Sequence, residues 1–462
     1  MKTILKPLTA VGLLASFLAG CAKTESLSPG QLTEHNKPGT VMIQTVHKAE
    51  FSVPDYTLDD ARLDELAAAL QQEGSMSEEQ ALVTVIAEVM EDPLYYFAPL
   101  NELIYQSAEI STTGSALAVT EDGYLVTNAH VVSSEQDDLK FSLADYALED
   151  VAYDSCQIVW DGFDGFSQDA IGALMGTEEF TQLCLNAHVE YYAHYMNLDA
   201  LETDIYAAMG GVTTLDEVLE EGHKATVEAM GEPTPGKDVA VLKIQADSMP
   251  TVSLGQDSDL TAGDRIFILG YPGAGTLDES ETLEPSLTAG LVSARKTMSD
   301  GWDILQTDAA MNSGNSGGPV FNEAGEAIGI ATFGKVDPAT GGKVEGVNFV
   351  IPINVVEEFL AEADVQPALS DISQLYQEGV SQFDQERFPQ ALKTFRQVSE
   401  INPDYPYVQS YLSKSQKATS EQQGWPVPLW LIVVGGTVAI SLGGGGLYFL
   451  SRRVKIGLPQ FK

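Results

Sequence analysis

Residues 311–320 read MNSGNSGGPV, and the reading of this stretch decides how the rest of the 462-residue chain is organised. Its three glycines permit backbone angles with φ > 0 and close approach of another chain, and Ser316 sits between Asn315 and Gly317. A loop of that composition suits an exposed nucleophilic hydroxyl. Acyl transfer places such a hydroxyl beside backbone N–H groups aimed at the developing oxyanion, and the amides of Gly314, Asn315 and Ser316 are the donors to hand. The same string also suits a plain Gly/Asn/Ser surface turn, so the decision passes to the partners a serine nucleophile needs.

Those partners are a histidine to take the proton and a carboxylate to hold the histidine's tautomer. Only six histidines exist. His130 lies in GYLVTNAHVV, where the run Tyr124–Leu125–Val126 follows a turn at Glu121–Asp122–Gly123 and ends at Asn128–Ala129. Asp238 opens the β-branched run of GKDVAVLKI, and an acid at the mouth of an apolar strand costs free energy unless it is paired. Singly, each has an ordinary reading as an edge-strand histidine or a turn acid. Together the three occur in the order His, Asp, Ser, which is the chymotrypsin order and neither the subtilisin nor the α/β-hydrolase one.

The segments EDGYLVTNAHVV, KDVAVLKI, LGQDSDLTAGDRIFILGYPG and QTDAAMNSGNSGGPVFNEAGEAIGIATFG, in that order, resemble the HtrA (DegP-like) branch of the trypsin-like serine proteases. The resemblance implies a mostly β, chymotrypsin-like double barrel, with His130 as general base, Asp238 as orienting acid and Ser316 as nucleophile. It also implies cleavage of unfolded or damaged polypeptides after small aliphatic residues. By the same resemblance Ala310 is expected at the base of the primary specificity pocket and Thr332, Phe333 and Gly334 in its wall; alanine there is no anion, so cleavage after Lys or Arg is not expected. The chain departs from the family in three ways: no PDZ segment follows, two long segments interrupt the first barrel, and Ser313 replaces the usual proline.

Both interruptions have helical spacing. The first, about 57–107, contains LDDARLDELAAALQQ and SEEQALVTVIAEVMEDP with a break at Gly74–Ser75. The second, about 149–231, contains EEFTQLCLNAHVEYYAHYMNLDALETDIYAAM and TTLDEVLEEGHKATVEAM and is expected as a helical lid or capture surface over the cleft. The whole protease is expected over 37–365.

Formal charge is −43, from 67 acidic and 24 basic residues, which repels a phosphate backbone and excludes nucleic acid as a partner. Residues 1–20 read as an export signal with Lys2 and Lys6 ahead of an apolar run too short to span a bilayer. Leu18–Ala19–Gly20–Cys21 resembles a bacterial lipobox, which implies lipid on Cys21; an ordinary signal peptide with an incidental cysteine is the alternative. Residues 21–36 are polar and read as a tether. With Cys21 lipidated, Cys156 and Cys184 remain, either bonded to each other in an exported protein or as two free buried thiols. A metal reading of Cys184, His188 and His194 lacks a fourth ligand and the HExxH pattern, so neither metal nor other cofactor is expected, and both histidines read as helix-surface residues.

Beyond the barrels, YQEGVSQFDQERFPQALKTFRQVSEINPDYP resembles a tetratricopeptide repeat, which implies a helical hairpin over 366–420 serving either as packing spacer or as peptide binder. Residues 425–451 read as a transmembrane helix flanked by Trp425 and Trp430, with Arg452, Arg453 and Lys455 placing the tail, 452–462, in the cytoplasm. A buried soluble helix is the alternative. The expected protein is thus a single-pass bacterial membrane protease facing outward, with its partners being polypeptide substrates, the membrane, and a homo-oligomeric copy that the sequence permits without specifying. The competing reading is a catalytically silent protease fold used as a binding or chaperone platform.

Overall fold

The computed structural model describes residues 26–73, 77–134, 136–161, 177–210, 215–272, 284–336 and 343–423. The signal segment 1–20, Cys21, the apolar stretch 425–451 and the tail 452–462 lie outside these residues. Two compact units divide the chain after Ser373.

The first unit holds two closed six-stranded antiparallel barrels. The first runs in the order β1–β2–β3–β6–β5–β4: β1 (Thr40–Leu58), β2 (Phe97–Ala118), β3 (Tyr124–Thr127), β4 (Asn197–Met209), β5 (His223–Met230) and β6 (Ala240–Lys243). The second runs β10–β11–β12–β9–β8–β7: β7 (Arg265–Gly270), β8 (Ser286–Thr297), β9 (Asp303–Thr307), β10 (Pro319–Phe321), β11 (Ala327–Val336) and β12 (Lys343–Pro352). Val41, Ile43, Ala116, Leu125 and Leu242 fill one barrel, and Ile266, Ile268, Leu305, Val320 and Val350 the other. A third cluster, with Leu117, Val126, Val241, Phe267, Leu269, Phe321, Ile330 and Ile351, seals the two together. The catalytic candidates are carried at that seam.

The two interruptions are not separate inserts. β1 and β2 run on past the barrel as a long ribbon, in register from Thr40↔Leu117 to Leu58↔Phe97 with an irregularity at Pro54/Tyr56. One helical layer rests on it. Helices α2 (Asp60–Glu73), α3 (Glu78–Glu91) and α4 (Pro93–Tyr96) come from the first interruption, and α6 (Gln136–Ala147), α7 (Glu149–Asp161) and α8 (Thr177–Tyr195) from the second. They share a core of Phe51, Val53, Val89, Met90, Phe97, Leu143, Ala152, Tyr191 and Tyr192. Their apolar face is therefore spent on β1 and β2 rather than kept for a lid.

Three boundaries shift from the sequence reading. Residues 97–107 of the first interruption are strand, and the second begins its helices at Gln136 rather than 149. More consequentially, Asn197–Met209 and His223–Met230 are barrel strands: Val41↔Met209, Ile43↔Ala207 and Ile205↔Ala225 close the barrel on the free edge of β1. Ala, Leu and Glu favour helix there, but an unpaired barrel edge outweighs a propensity worth tenths of a kcal/mol per residue. Between β4 and β5, α9 (Leu215–Glu221) is the only remnant of the expected helix among the described residues. Third, the expected tether 21–36 is folded from its later part: α1 (Pro29–Asn36) starts with a capping box between Ser28 and Gln31 and buries Leu32 in the seam. The cap contributes about 1 kcal/mol and the leucine about 2 kcal/mol.

The second unit is helical. Within it lie most of α11 (Asp371–Asp384), then α12 (Phe388–Ile401) and α13 (Val408–Gln423); α10 (Ile353–Glu362) belongs to the first unit. Tyr376, Phe395, Tyr405 and Tyr411 pack ring against ring, and Gly379 lies against the Phe395 ring. Among the described residues no helix is long and apolar enough to cross a membrane.

Candidate active site

β3 pairs with β6 at Thr127↔Ala240, which sets the ends of two strands side by side at the seam. One residue past β3, the chain turns into α5 (Ala129–Val132), carrying His130; just before β6 stands Asp238. The side chain of Asn128 donates to the Asp238 carbonyl (2.8 Å), and the His130 amide donates to Asp238 Oδ1 (2.9 Å). The other carboxylate oxygen lies 2.6 Å from His130 Nδ1. With the carboxylate 1% exposed and accepting from Nδ1, the proton belongs on Nδ1, and the imidazole as a whole stays 38% exposed.

Thr332 was expected in the wall of a specificity pocket. Its hydroxyl donates to Asp238 Oδ2 (2.8 Å), inside the seam. Its carbonyl accepts the hydroxyl of Ser316 (2.9 Å). One residue of β11 thus links the acid to the serine, and Ser316 rests on Thr332 rather than on His130.

The serine loop is pinned from both barrels. Ser115 on β2 donates its amide to the Ser316 carbonyl (2.8 Å) and its hydroxyl to the Gly314 carbonyl (2.6 Å), while that hydroxyl accepts the Tyr271 amide (2.9 Å). Gly317 adopts φ +81°, and a Cβ there would strike the Ser115 carbonyl and the Thr127 hydroxyl. Only glycine fits that position. Asn315 is removed from the expected oxyanion donors, because its amide is spent on the Asn312 carbonyl (3.1 Å) in closing the turn. Among the described residues the amides of Gly314 and Ser316 make no backbone hydrogen bond. Two donors fit an oxyanion site as well as three.

Ala310 is exposed at the mouth of this loop. The acid nearest to it in sequence, Asp308, turns its carboxylate onto the Leu291 amide (2.6 Å). Gly334 opposes Asn348 across β11 and β12, and Phe333 lies against Phe349 with ring centroids 4.9 Å apart. Asn348 donates to the Ala309 carbonyl (2.8 Å). Ser115, Asn348 and Phe349 were missed in the sequence, where each reads as an unremarked strand residue. Their only signal was position on strands that flank the recognised motifs.

The residues weighed for metal binding separate. Cys156 and Cys184 are joined in a disulfide between α7 and α8, with Cα atoms 6.0 Å apart. His188 is no surface residue: it is wholly buried beside that bond, with Nδ1 on the Cys184 carbonyl (2.7 Å) and Nε2 on the Tyr56 hydroxyl (2.7 Å). Burial holds its pKa below the ordinary histidine value and pushes Tyr56 up to about 12. His194 points elsewhere, edge-on to Tyr195.

The family model for the trypsin-like peptidase domain matches residues 195–330, which take in Asp238, Gly314 and Ser316. A DegP-like periplasmic serine endoprotease of Halomonas elongata is 40% identical over 146 residues, 30% of this chain and 28% of its own. The similarity is to serine proteases of the DegP kind. The Synechocystis serine protease HhoB is 32% identical over 167 residues, 34% of this chain and 36% of its own. The chain thus spans about a third or less of the length of these curated relatives. A solved structure of the HtrA-type protease AlgW with a decapeptide aligns over 73% of this chain and 68% of its own, at 20% identity and a TM-score of 0.37. The matched family segment begins at Tyr195, the last residue of α8, and so lies beyond the helices that separate His130 from the other two residues.

Proposed function

We propose that the chain is a membrane-anchored, extracytoplasmic serine endopeptidase of the HtrA kind that hydrolyses peptide bonds in unfolded or damaged polypeptides. The observation that carries this reading is the bridge through Thr332, whose hydroxyl and carbonyl hold Asp238 and Ser316 a few bonds apart while Asp238 holds His130. Rotation of Ser316 about χ1 takes its hydroxyl from the Thr332 carbonyl toward His130 Nε2. The imidazole then accepts the proton as Oγ attacks the scissile carbonyl, and Asp238 stabilises the imidazolium. The Gly314 and Ser316 amides receive the oxyanion, His130 returns the proton to the leaving amine, and water hydrolyses the acyl-enzyme. The Thr332 carbonyl vacated by Ser316 is free to accept an N–H from the bound peptide.

Position 310 is itself an alanine and the carboxylate of nearby Asp308 is held on the Leu291 amide, which supports small apolar residues over Lys or Arg before the scissile bond. The periplasmic relatives, the export signal at 1–20, the lipobox-like Cys21 and the apolar stretch 425–451 support an outward-facing protease held at the bacterial membrane. The three-helix unit, with Gly379 against Phe395, supports the tetratricopeptide-like reading as a packing spacer.

The resting bond from Ser316 to Thr332 favours one rival, a silent protease fold used as a binding platform. A fluorophosphonate probe separates the two. Labelling that disappears in Ser316→Ala, together with mapped cleavage after small residues in casein, supports the peptidase. A chain that binds casein but is neither labelled nor able to cut it is the platform.

A further inference from the structure

The disulfide in the helical layer has a third member that the proposed protease chemistry does not use. Cys156 on α7, and Cys184 and His188 one turn apart on α8, are all wholly buried. His188 Nδ1 lies 3.6 Å from Cys156 Sγ and 3.7 Å from Cys184 Sγ, and the three ligand atoms lie within 4.8 Å of one another. In a tetrahedral zinc centre, with bonds of about 2.3 Å to sulfur and about 2.0 Å to nitrogen, neighbouring sulfur and nitrogen vertices sit about 3.5 Å apart and two sulfurs about 3.8 Å apart. Both sulfur–nitrogen distances are already near that value. Only the two sulfurs must part.

We propose that this cluster, once its disulfide is reduced, binds a thiophilic divalent cation of the zinc class through the thiolates of Cys156 and Cys184 and Nδ1 of His188. Disulfide and cation are then alternative occupants of one place, chosen by redox conditions. Reduction by a dithiol transfers two electrons and two protons to the sulfurs and leaves the dithiol as a cyclic disulfide. Cation binding releases those two protons to solvent. The imidazole stays neutral: its proton moves from Nδ1 to Nε2, which then donates to the Tyr56 oxygen. Tyr56 is placed for this, because its hydroxyl is already hydrogen-bonded to the Ser155 side chain and can turn its own proton there. A ligating histidine whose other nitrogen is held in this way is the usual supporting shell of such a centre. The Cys184 carbonyl gives up the side-chain donor but keeps its place in the helical ladder of α8. The described residues supply three ligands, and the fourth vertex goes to water.

The test uses the full chain in detergent, as the disulfide form and after anaerobic reduction by dithiol and desalting, titrated with Co2+ as a spectroscopic stand-in for Zn2+. Reduced protein is expected to take up one equivalent, with thiolate-to-cobalt charge-transfer absorption that Zn2+ abolishes, while the disulfide form shows none. Cys21 is common to both forms and cancels in the comparison. His188→Gln is expected to weaken uptake at least tenfold. The proposal is overturned if reduced protein, with two newly titratable thiols, shows no charge-transfer band, or if uptake is the same in both redox forms. The comparison of wild-type forms needs no variant that folds, and it is indifferent to whether Ser316 is active.

Discussion

His130 and His188 each sit on a helix and each commit Nδ1 to one strong hydrogen bond, yet only one is placed to move a proton. His130 pairs with a buried carboxylate through Nδ1 and keeps its ring partly exposed at the barrel seam. His188 has a backbone carbonyl on one nitrogen, a tyrosine hydroxyl on the other and aromatic rings of Phe97, Tyr56 and Tyr192 around it. A histidine becomes a base through an ionised partner and an open nitrogen, and becomes a structural or ligating group when both nitrogens are held in a dry core.

The largest test of that contrast is Asp238→Asn, which removes tautomer control from His130. Turnover of a short chromogenic peptide is expected to fall about 10⁴-fold while the thermal transition stays close to that of wild type. The opposite region responds the other way. Reduction of Cys156–Cys184 in the wild-type chain, which frees a segment of sequence separation 28, is expected to cost about 3 kcal/mol of stability and to leave short-peptide turnover unchanged; loss of turnover in step with reduction would join two regions here held apart. Thr332→Val keeps shape and removes the hydroxyl on Asp238. A hydrogen bond to a charged group is worth about 1.5–3 kcal/mol, so kcat/KM should fall about 10- to 100-fold. An unchanged kcat/KM would make Thr332 a packing residue only.

The smallest test uses a third imidazole, His47, buried between the hydroxyls of Thr203 (2.9 Å) and Ser134 (3.3 Å). Burial lowers its pKa, so the unfolded chain binds the proton more readily than the folded one. Its stability contribution is complete above the ordinary histidine pKa and is lost as pH falls from there through the lowered value. Tm should therefore drop between pH 7 and pH 5 more steeply in wild type than in His47→Gln. Equal slopes would locate the acid sensitivity elsewhere.

Much of the seam was legible in the chain itself. A hydroxyl among glycines, an imidazole after a short apolar run and an acid before another are local patterns, and their order along the chain restricts the geometry they can share. The helical spacing of α2, α3 and α8 was equally visible, because each buries one face and repeats accordingly. What local pattern misread was Asn197–Met209 and His223–Met230. Their residues favour helix, and only the open edge of β1 makes them strands.

Sequence alone determined which residues carry reactive atoms and where short strands and amphipathic helices begin, because those depend on side-chain chemistry and spacing. Tertiary structure alone decided that two distant interruptions form one helical layer and that the Thr332 hydroxyl is given to the acid. Each of those is settled by partners far apart along the chain, 94 residues for Thr332 and Asp238, competing for one hydrogen bond or one buried edge, and no local pattern encodes which competitor wins.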